Sequence, residues 1–338
     1  MTVTEEPQNS PGYKWVGTRP IRPDGLDKVT GKARFGADLV LPGMLEGAVL
    51  RSPHAHAKIV AIDTSAAEAM PGVHAVVTGA DFPDLAANGA RPDDVLMSKN
   101  VIARDKVLYE GHPVAAVAAT TRKVAKEAAK AIEVTYELLP HVLTVDEAMA
   151  DDAPILHEGM RTRGVDPAPE QDSNVASRVN HERGELDKGF ADADLVIERT
   201  FTTKPVHQGY IEPHAAVADA NQEGRANLWC SSQGHFAMRT ATATVLAWEP
   251  SRIKVTPAEI GGGFGGKTVV YLEPLATKLS ASSGRPVRLV MDRDEVFRAS
   301  GPTSGTKMRV KMGVTNDGTL TAADVWMAYE AGANPGSP

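Results

Sequence analysis

A single cysteine, Cys230, stands in a chain of 338 residues. That count excludes an internal disulfide, and it leaves no thiolate set for zinc or for an iron–sulfur cluster. Aromatic residues are sparse at 5%, and no stretch approaches the roughly eighteen consecutive apolar residues of a membrane-spanning helix. Positive charge is also short: 36 Lys and Arg face 43 Asp and Glu, a net charge of -7. The chain therefore lacks the broad basic footprint that would hold nucleic acid or an anionic membrane. The first twenty residues carry Glu5 and Glu6 and no apolar core, unlike a secretory signal, so a cytoplasmic location is expected. What the chain does have is 42% apolar against 23% charged residues, enough for sizeable cores in two domains or one large one. Thirty Gly and 23 Pro favour many short strands and turns over long helices.

No repeat recurs at a fixed period, and the character of the text changes at residues 151–182. That stretch is polar, proline-bearing and without sustained periodicity, so a linker or long surface loop is expected there. Before it, residues 45–49, 58–62, 73–78, 106–109 and 114–118 resemble short strands. Residues 64–70 predict a helix capped by Thr64 or Ser65. Residues 121–132 predict another, with Val124, Ala128 and Ile132 inward and Arg122, Lys126 and Lys130 in water; a strand follows at 133–137. After the linker, a short helix is expected at 186–190 and strands at 194–203, 214–220, 226–231 and 252–260. A helix at 236–248 would place Met238, Ala241, Val245 and Trp248 on one face and stop before Pro250. Met308, Val310, Met312 and Val314 alternate with polar or small residues, and Asn316-Asp317-Gly318 supplies a turn toward 320–327, which together predict a hairpin.

The densest feature is Gly261-Gly262-Gly263-Phe264-Gly265-Gly266-Lys267-Thr268. Gly261, Gly266, Lys267 and Thr268 satisfy the phosphate-loop pattern, and Gly261, Gly263 and Gly266 satisfy the dinucleotide pattern. A five-glycine run meets both cheaply. The phosphate reading also wants a helix directly after the loop and an acidic magnesium residue ending an apolar strand, and the one candidate, 287–292, is interrupted by Arg288. The dinucleotide reading lacks a clear acidic residue about 20 positions on. A third reading is a close-packed loop whose glycines only permit unusual dihedrals. Physically, such a loop lets backbone approach a bulky planar or metal-bound ligand and points several N–H groups at an oxyanion.

Six segments then occur in order: 28–38 (KVTGKARFGAD), 50–58 (LRSPHAHAK), 111–119 (GHPVAAVAA), 209–218 (GYIEPHAAVA), 231–234 (SSQG) and 261–267 (GGGFGGK). Together they resemble the molybdenum-cofactor subunit of the xanthine dehydrogenase and aldehyde oxidase family over about residues 18–338. Within it, the 4-hydroxybenzoyl-CoA reductase, nicotinate dehydrogenase and carbon monoxide dehydrogenase group is nearest in feel. The resemblance implies an α+β fold: an α/β hammerhead domain over 18–150, the linker 151–182, and a first molybdenum-cofactor domain over 183–338. It implies molybdopterin with Mo, in the cytosine dinucleotide form, and hydroxylation with oxygen derived from water. It further implies [2Fe-2S] clusters and FAD on partner subunits, since this chain cannot hold the clusters itself.

Carried onto this sequence, the resemblance places Gln233 beside an oxo ligand, as a hydrogen-bond donor. It places Phe264 and Gly265 against the cofactor, with Gly262, Gly263 and Gly266 shaping the approach. Lys267 is expected to anchor the loop. Thr268 stands where purine-oxidising relatives carry a glutamate; a neutral hydroxyl there disfavours xanthine and leaves an N-heterocycle, aldehyde, aromatic acyl thioester or carbon monoxide. His54 and His56, on one strand face if extended, and His207 and His214 form no recognised metal motif, so no metal site is assigned to this chain. Glu212 is expected in a buried network, and Cys230 as a packed hydrophobe. The family's catalytic glutamate, in a G-x-G-E type segment, is not in this sequence. The expected partners are therefore a chain carrying the remaining half of the large subunit, an iron–sulfur subunit and a FAD subunit, assembled as a dimer of heteromers around a small-molecule substrate. A naturally split subunit is favoured over a truncated one. The competing expectations are a noncatalytic assembly or cofactor-delivery protein that retains the loop, and a phosphate-loop nucleotide binder.

Overall fold

The computed structural model describes residues 14–334; most of the opening segment read for a signal, and the last four residues of the second expected domain, lie outside them. Thirteen strands occur among the described residues: β1 (Leu45–Arg51), β2 (Ala57–Asp63), β3 (Val73–Thr78), β4 (Lys106–Val107), β5 (Pro113–Ala119), β6 (Glu133–Leu138), β7 (Leu195–Thr203), β8 (Ala215–Ala220), β9 (Ala226–Cys230), β10 (Ile253–Pro257), β11 (Val287–Val290), β12 (Thr306–Val314) and β13 (Leu320–Tyr329). Their mixture with helices agrees with the expected fold class.

A mixed seven-stranded sheet runs β10-β9-β8-β11-β1-β5-β3. It draws strands from both sides of residues 151–182, and β1 joins β11 in parallel through Leu45↔Val287 and Glu46↔Arg288. Every residue of β5 is buried, because both faces of the sheet are covered. Ala115 and Val117 point to one side, where they meet Ala128, Ala129 and Ile132 around the helix Arg122–Ala131. Ala116 and Ala118 point to the other, joining Leu275 and Leu279 of the helix Glu273–Ser283. This is the two-sided burial that makes a strand read as a continuous apolar run.

A smaller sheet, β4-β2-β6, completes the N-terminal part, and a third, β13-β12-β7, stands apart. The third contains the expected hairpin, with β7 pairing to β12 along its full length from Leu195↔Val314 to Thr306↔Thr203. On one face Leu195, Ile197 and Phe201 line up with Met308, Met312 and Met327, and this face is open: Phe201 is 51% and Met327 50% exposed. The short helix Leu186–Ala191 packs on the same sheet, with Phe190 near Gly313.

Several local expectations shift. Residues 151–182 hold no helix or paired strand beyond one isolated bridge, Arg163↔Ser177. In the helix Arg122–Ala131 the buried stripe is Ala125, Ala128 and Ala129. Arg122 does not face water freely: it donates to the Val290 carbonyl at 3.1 Å and to Asp292 at 2.8 Å. The helix His235–Leu246 buries Met238, Thr242, Ala243, Val245 and Leu246, and Ala247 in the left-handed region ends it before Pro250 is reached. The helices Pro92–Val101, Glu273–Ser283 and Arg293–Ala299 were not anticipated. Residues 52–56 bend rather than extend, as Ser52 Oγ accepts the His54 N–H at 3.0 Å, so His54 and His56 do not share a strand face. No helix among the described residues is long and apolar enough to cross a membrane.

Candidate cofactor site

Two chain segments meet at the glycine loop. One leaves β9 through buried Ser231 and Ser232, reaches Gln233 and enters the helix His235–Leu246. The other leaves β10 and runs through 261–268. Gln233 is held by Lys267 from both directions: its N–H donates to the Lys267 carbonyl at 2.9 Å, and its Oε1 accepts the Lys267 N–H at 3.1 Å. The same Oε1 accepts the Gly265 N–H at 3.0 Å. Two backbone donors on one atom fix the carboxamide, since only the oxygen can accept. The Nε2 group is thereby left as a donor with no hydrogen-bond partner among the described residues.

Two glycines are required here by space and dihedral angle. A Cβ on Gly263 would stand 2.5 Å from Gln233 Oε1, so a side chain would displace the carboxamide. Gly265 has φ +88 with nothing within 4 Å of an added Cβ, a bare backbone ledge beside the Gln233 amide. Phe264 between them has φ 48 and is 74% exposed; a bulky residue in the left-handed region is strained, and such positions concentrate at functional sites. Gly262 and Gly266 back onto Tyr210, where added Cβ atoms would come within 3.1 Å of its Cβ and 2.8 Å of its Cε1. Thr268 is exposed and donates its hydroxyl proton to the Gly265 carbonyl at 2.9 Å, which leaves it an acceptor toward solvent. Gln233, Gly262, Gly263, Phe264, Gly265, Gly266 and Thr268, the residues expected toward cofactor or substrate, thus lie on this loop and its Gln233 brace.

Beneath the loop lies a polar core that the sequence did not reveal as a unit. Lys267, with a fully buried side chain, pairs with Glu212 at 2.7 Å, and its ammonium sits 4.8 Å from the Tyr210 ring centroid. Burial pushes the Lys267 ammonium below its ordinary range, with Glu212 opposing that shift. Tyr210 OH lies 2.6 Å from His214 Nε2 and 3.2 Å from Ser300 Oγ, and Ser300 also meets His207 Nε2 at 2.9 Å. Burial holds His214 down to about 3, so it is neutral, and raises the Tyr210 hydroxyl. Arg293 donates to the carbonyls of Tyr210 and Ile211 at 2.8 and 2.6 Å. Arg293 and Tyr210 were missed by sequence reasoning, which had no spacing rule to join residues so far apart in the chain.

The phosphate-loop alternative fails on this geometry. Its lysine must reach a nucleotide, whereas the Lys267 side chain is buried against Glu212, and the next helix starts only at Glu273. What the loop offers instead is a cradle: a glycine ledge, an exposed aromatic edge at Phe264 and a fixed amide donor from Gln233. Those features suit a broad ligand with an oxygen to be hydrogen-bonded.

Comparison with known proteins gives this cradle a family. Residues 168–337 match the molybdopterin cofactor-binding domain, and residues 30–140 match the aldehyde oxidase and xanthine dehydrogenase a/b hammerhead domain. The nicotinate dehydrogenase large molybdopterin subunit of Eubacterium barkeri is 32% identical over 321 residues, 95% of this chain and 72% of that protein. The carbon monoxide dehydrogenase large chain of Afipia carboxidovorans is 33% identical over 322 residues, 94% of this chain and 40% of that one. The crystal structure of quinoline 2-oxidoreductase from Pseudomonas putida 86 superposes with a TM-score of 0.76 at 30% identity, covering 92% of this chain and 39% of that one. The chain spans about two fifths of the length of the Afipia relative and of the quinoline 2-oxidoreductase chain. With both domain matches in the order expected and a fold shared at this identity, the chain belongs to the xanthine dehydrogenase and aldehyde oxidase family of molybdopterin-binding proteins.

Proposed function

We propose that this chain supplies one wall of a molybdenum–pterin site in an oxidoreductase that acts on an N-heterocycle, an aldehyde or an aromatic acyl thioester. The observation that carries the reading is the Gln233 carboxamide, whose oxygen is taken by two loop N–H groups, which leaves its amide donor unpaired beside the glycine loop. Gln233, Gly262, Gly263, Phe264, Gly265 and Gly266 would hold the cofactor, the glycines by backbone approach and Phe264 by its exposed ring. When bound, molybdopterin with Mo, proposed in its cytosine dinucleotide form, supplies two-electron redox chemistry with oxygen drawn from water. The protein's own part is orientation: Gln233 donates one hydrogen bond at a fixed position, and Thr268 offers a neutral hydroxyl to substrate instead of a charge. The hammerhead domain over 18–150, the linker 151–182 and the cofactor domain over 183–338 are proposed as the working division of the chain.

The open face of the β13-β12-β7 sheet supports a partner chain carrying the remaining half of the large subunit, because a half-exposed apolar sheet of this kind calls for cover. Iron–sulfur and FAD subunits would carry electrons away, and the whole would assemble as a dimer of heteromers. The test is Gln233→Ala in the purified complex, with molybdenum and pterin content measured alongside turnover. We expect metal content to hold while kcat falls by about 10²-fold or more, as for loss of a group that donates to developing charge. Unchanged turnover would overturn the role of Gln233, and a complex without Mo and without a second large chain would overturn the enzyme reading.

A further inference from the structure

The geometry points to Glu212 and Lys267 as a positioning pair: one buried carboxylate oxygen staples the two ends of the glycine loop together, and the Lys267 backbone passes that closure to the Gln233 carboxamide. This rests on the proposed role of Gln233 and adds to it the device that aims the amide.

Glu212 Oε2 accepts the Gly261 N–H at 2.7 Å and the Lys267 ammonium at 2.7 Å. Gly261 opens the loop and Lys267 closes it, so a single atom sets the distance between its ends. The Gly261 carbonyl in turn accepts the Glu212 N–H at 3.2 Å. Glu212 is itself on a rigid post: the carbonyls of Tyr210 and Ile211 just before it are held by Arg293, and the Tyr210 ring is tied through its hydroxyl to His214 and Ser300. At the other end, Lys267 brackets Gln233 through its own N–H and C=O. A shift in the lysine backbone therefore moves the acceptor side of the carboxamide directly.

A purely packing role fits the site poorly. The second carboxylate oxygen, Glu212 Oε1, is buried without a partner, and buried ion pairs are often matched or exceeded in stability by apolar residues of the same volume. What apolar residues cannot do is fix one oxygen at hydrogen-bond distance from both loop ends.

The decisive variant is the neutral pair Glu212→Gln with Lys267→Met. It removes the charges together, keeps an acceptor for the Gly261 N–H and leaves the Lys267 backbone intact, so the fold is retained where a single change would strand a buried charge. Hydrogen exchange in the assembled complex is expected to quicken about tenfold or more for peptides covering 261–268, with β10 unchanged. In the loaded enzyme kcat is expected to fall while KM stays within about twofold, the signature of lost positioning. Lys267→Arg, which keeps the charge opposite Glu212, is expected to exchange as the native chain does. Loop exchange unaltered in the paired variant, or an arginine variant as loose as the paired one, would overturn the staple. Unchanged turnover in Gln233→Ala would instead overturn the site reading, and the exchange experiment would still judge the staple by itself.

Discussion

The two largest sheets of this chain meet water in opposite ways. In the seven-stranded sheet the strand β5, between β1 and the edge strand β3, is buried from end to end, sealed by helices on both faces. In β13-β12-β7 the outer strand β7 is exposed at all nine positions, although Leu195, Ile197 and Phe201 are as apolar as anything in β5. The difference lies in what covers the sheet rather than in strand chemistry. The first sheet is a finished core that holds the glycine loop and Gln233 in place, and the second has the composition of a core with one wall missing. Apolar alternation therefore reports which face a strand intends to bury, and only the surrounding elements decide whether that burial happens within the chain.

The sharpest way to break this contrast is to place the same charge in each sheet. Val117 is 0% exposed among Ala128, Ala129 and Ile132, so Val117→Asp puts an unpaired carboxylate into a sealed interior and is expected to destabilise by about 4 kcal/mol or more. Phe201→Asp, on the open face, is expected to stay within about 0.5 kcal/mol of the native chain when that chain is studied alone. Urea unfolding followed by circular dichroism reads both. Similar midpoints for the two variants would show that the open sheet is as tightly packed as the closed one.

The same distinction explains what could be read from the sequence. β3 was expected at its observed bounds and β5 within a residue at each end, since turn residues flank short β-branched or apolar runs. The hairpin β12-β13 was legible from strict alternation and Asn316-Asp317-Gly318. The helix Glu273–Ser283 was not, because it is wedged between sheet and neighbouring helix: Glu273, Thr277 and Ser280 are buried with Leu275, Ala276 and Leu279, which erases the polar face that periodicity needs. Its usable signals were Pro274 in the first turn and Gly284 in the left-handed cap. The helix Pro92–Val101 likewise buries Ser98, which receives a hydrogen bond from Arg104 at 3.0 Å. At the site, five glycines and the SSQG segment announced the loop and Gln233. The partnership of Glu212 and Lys267 joins residues 55 apart, and only the folded chain brings them together.

Acid should act on the closed body first. His112, just before β5, donates from Nε2 to the Lys99 carbonyl and accepts the Leu108 N–H at Nδ1, and His214 stands just before β8; burial holds each down from 6.5 to about 3. Between those values the unfolded imidazole takes up a proton that the folded one refuses, so stability is full above about pH 6.5 and is lost as pH falls toward 3. At pH 5 the loss is expected to be roughly 2 kcal/mol for each imidazole. His157, lowered by burial to about 4, adds in the same direction and buried Glu273, raised by burial, acts in the opposite one, so the comparison is made against His112→Gln, in which one named contribution is gone. Urea midpoints at pH 7 and pH 5 supply the measurement. A native chain equally stable at both, or a variant with the native pH dependence, would refute the assignment.

The gentlest intervention separates the open sheet from the closed one most cleanly. Phe201→Ser combined with Met327→Ser removes two apolar side chains that are already half in water, so little area is returned to solvent when they go. At about 25 cal/mol per Å² of apolar surface, only the part already covered contributes to the stability of the chain alone, and the expected change in its urea midpoint is small, about 0.5 kcal/mol or less. The area that matters is the part not yet covered. If the remaining half of the large subunit closes over this face, the same two positions lie within the contact, where aromatic and methionine side chains carry a large share of binding energy. Co-purification and calorimetric titration with that partner are expected to weaken about 30-fold, some 2 kcal/mol, while the native and altered chains alone remain alike. Equal partner affinity in the altered chain would mean that the face is covered by something else, and a large loss of stability in the isolated chain would mean that its exposure is only apparent. Either result would move the boundary between what this chain folds for itself and what it leaves for assembly.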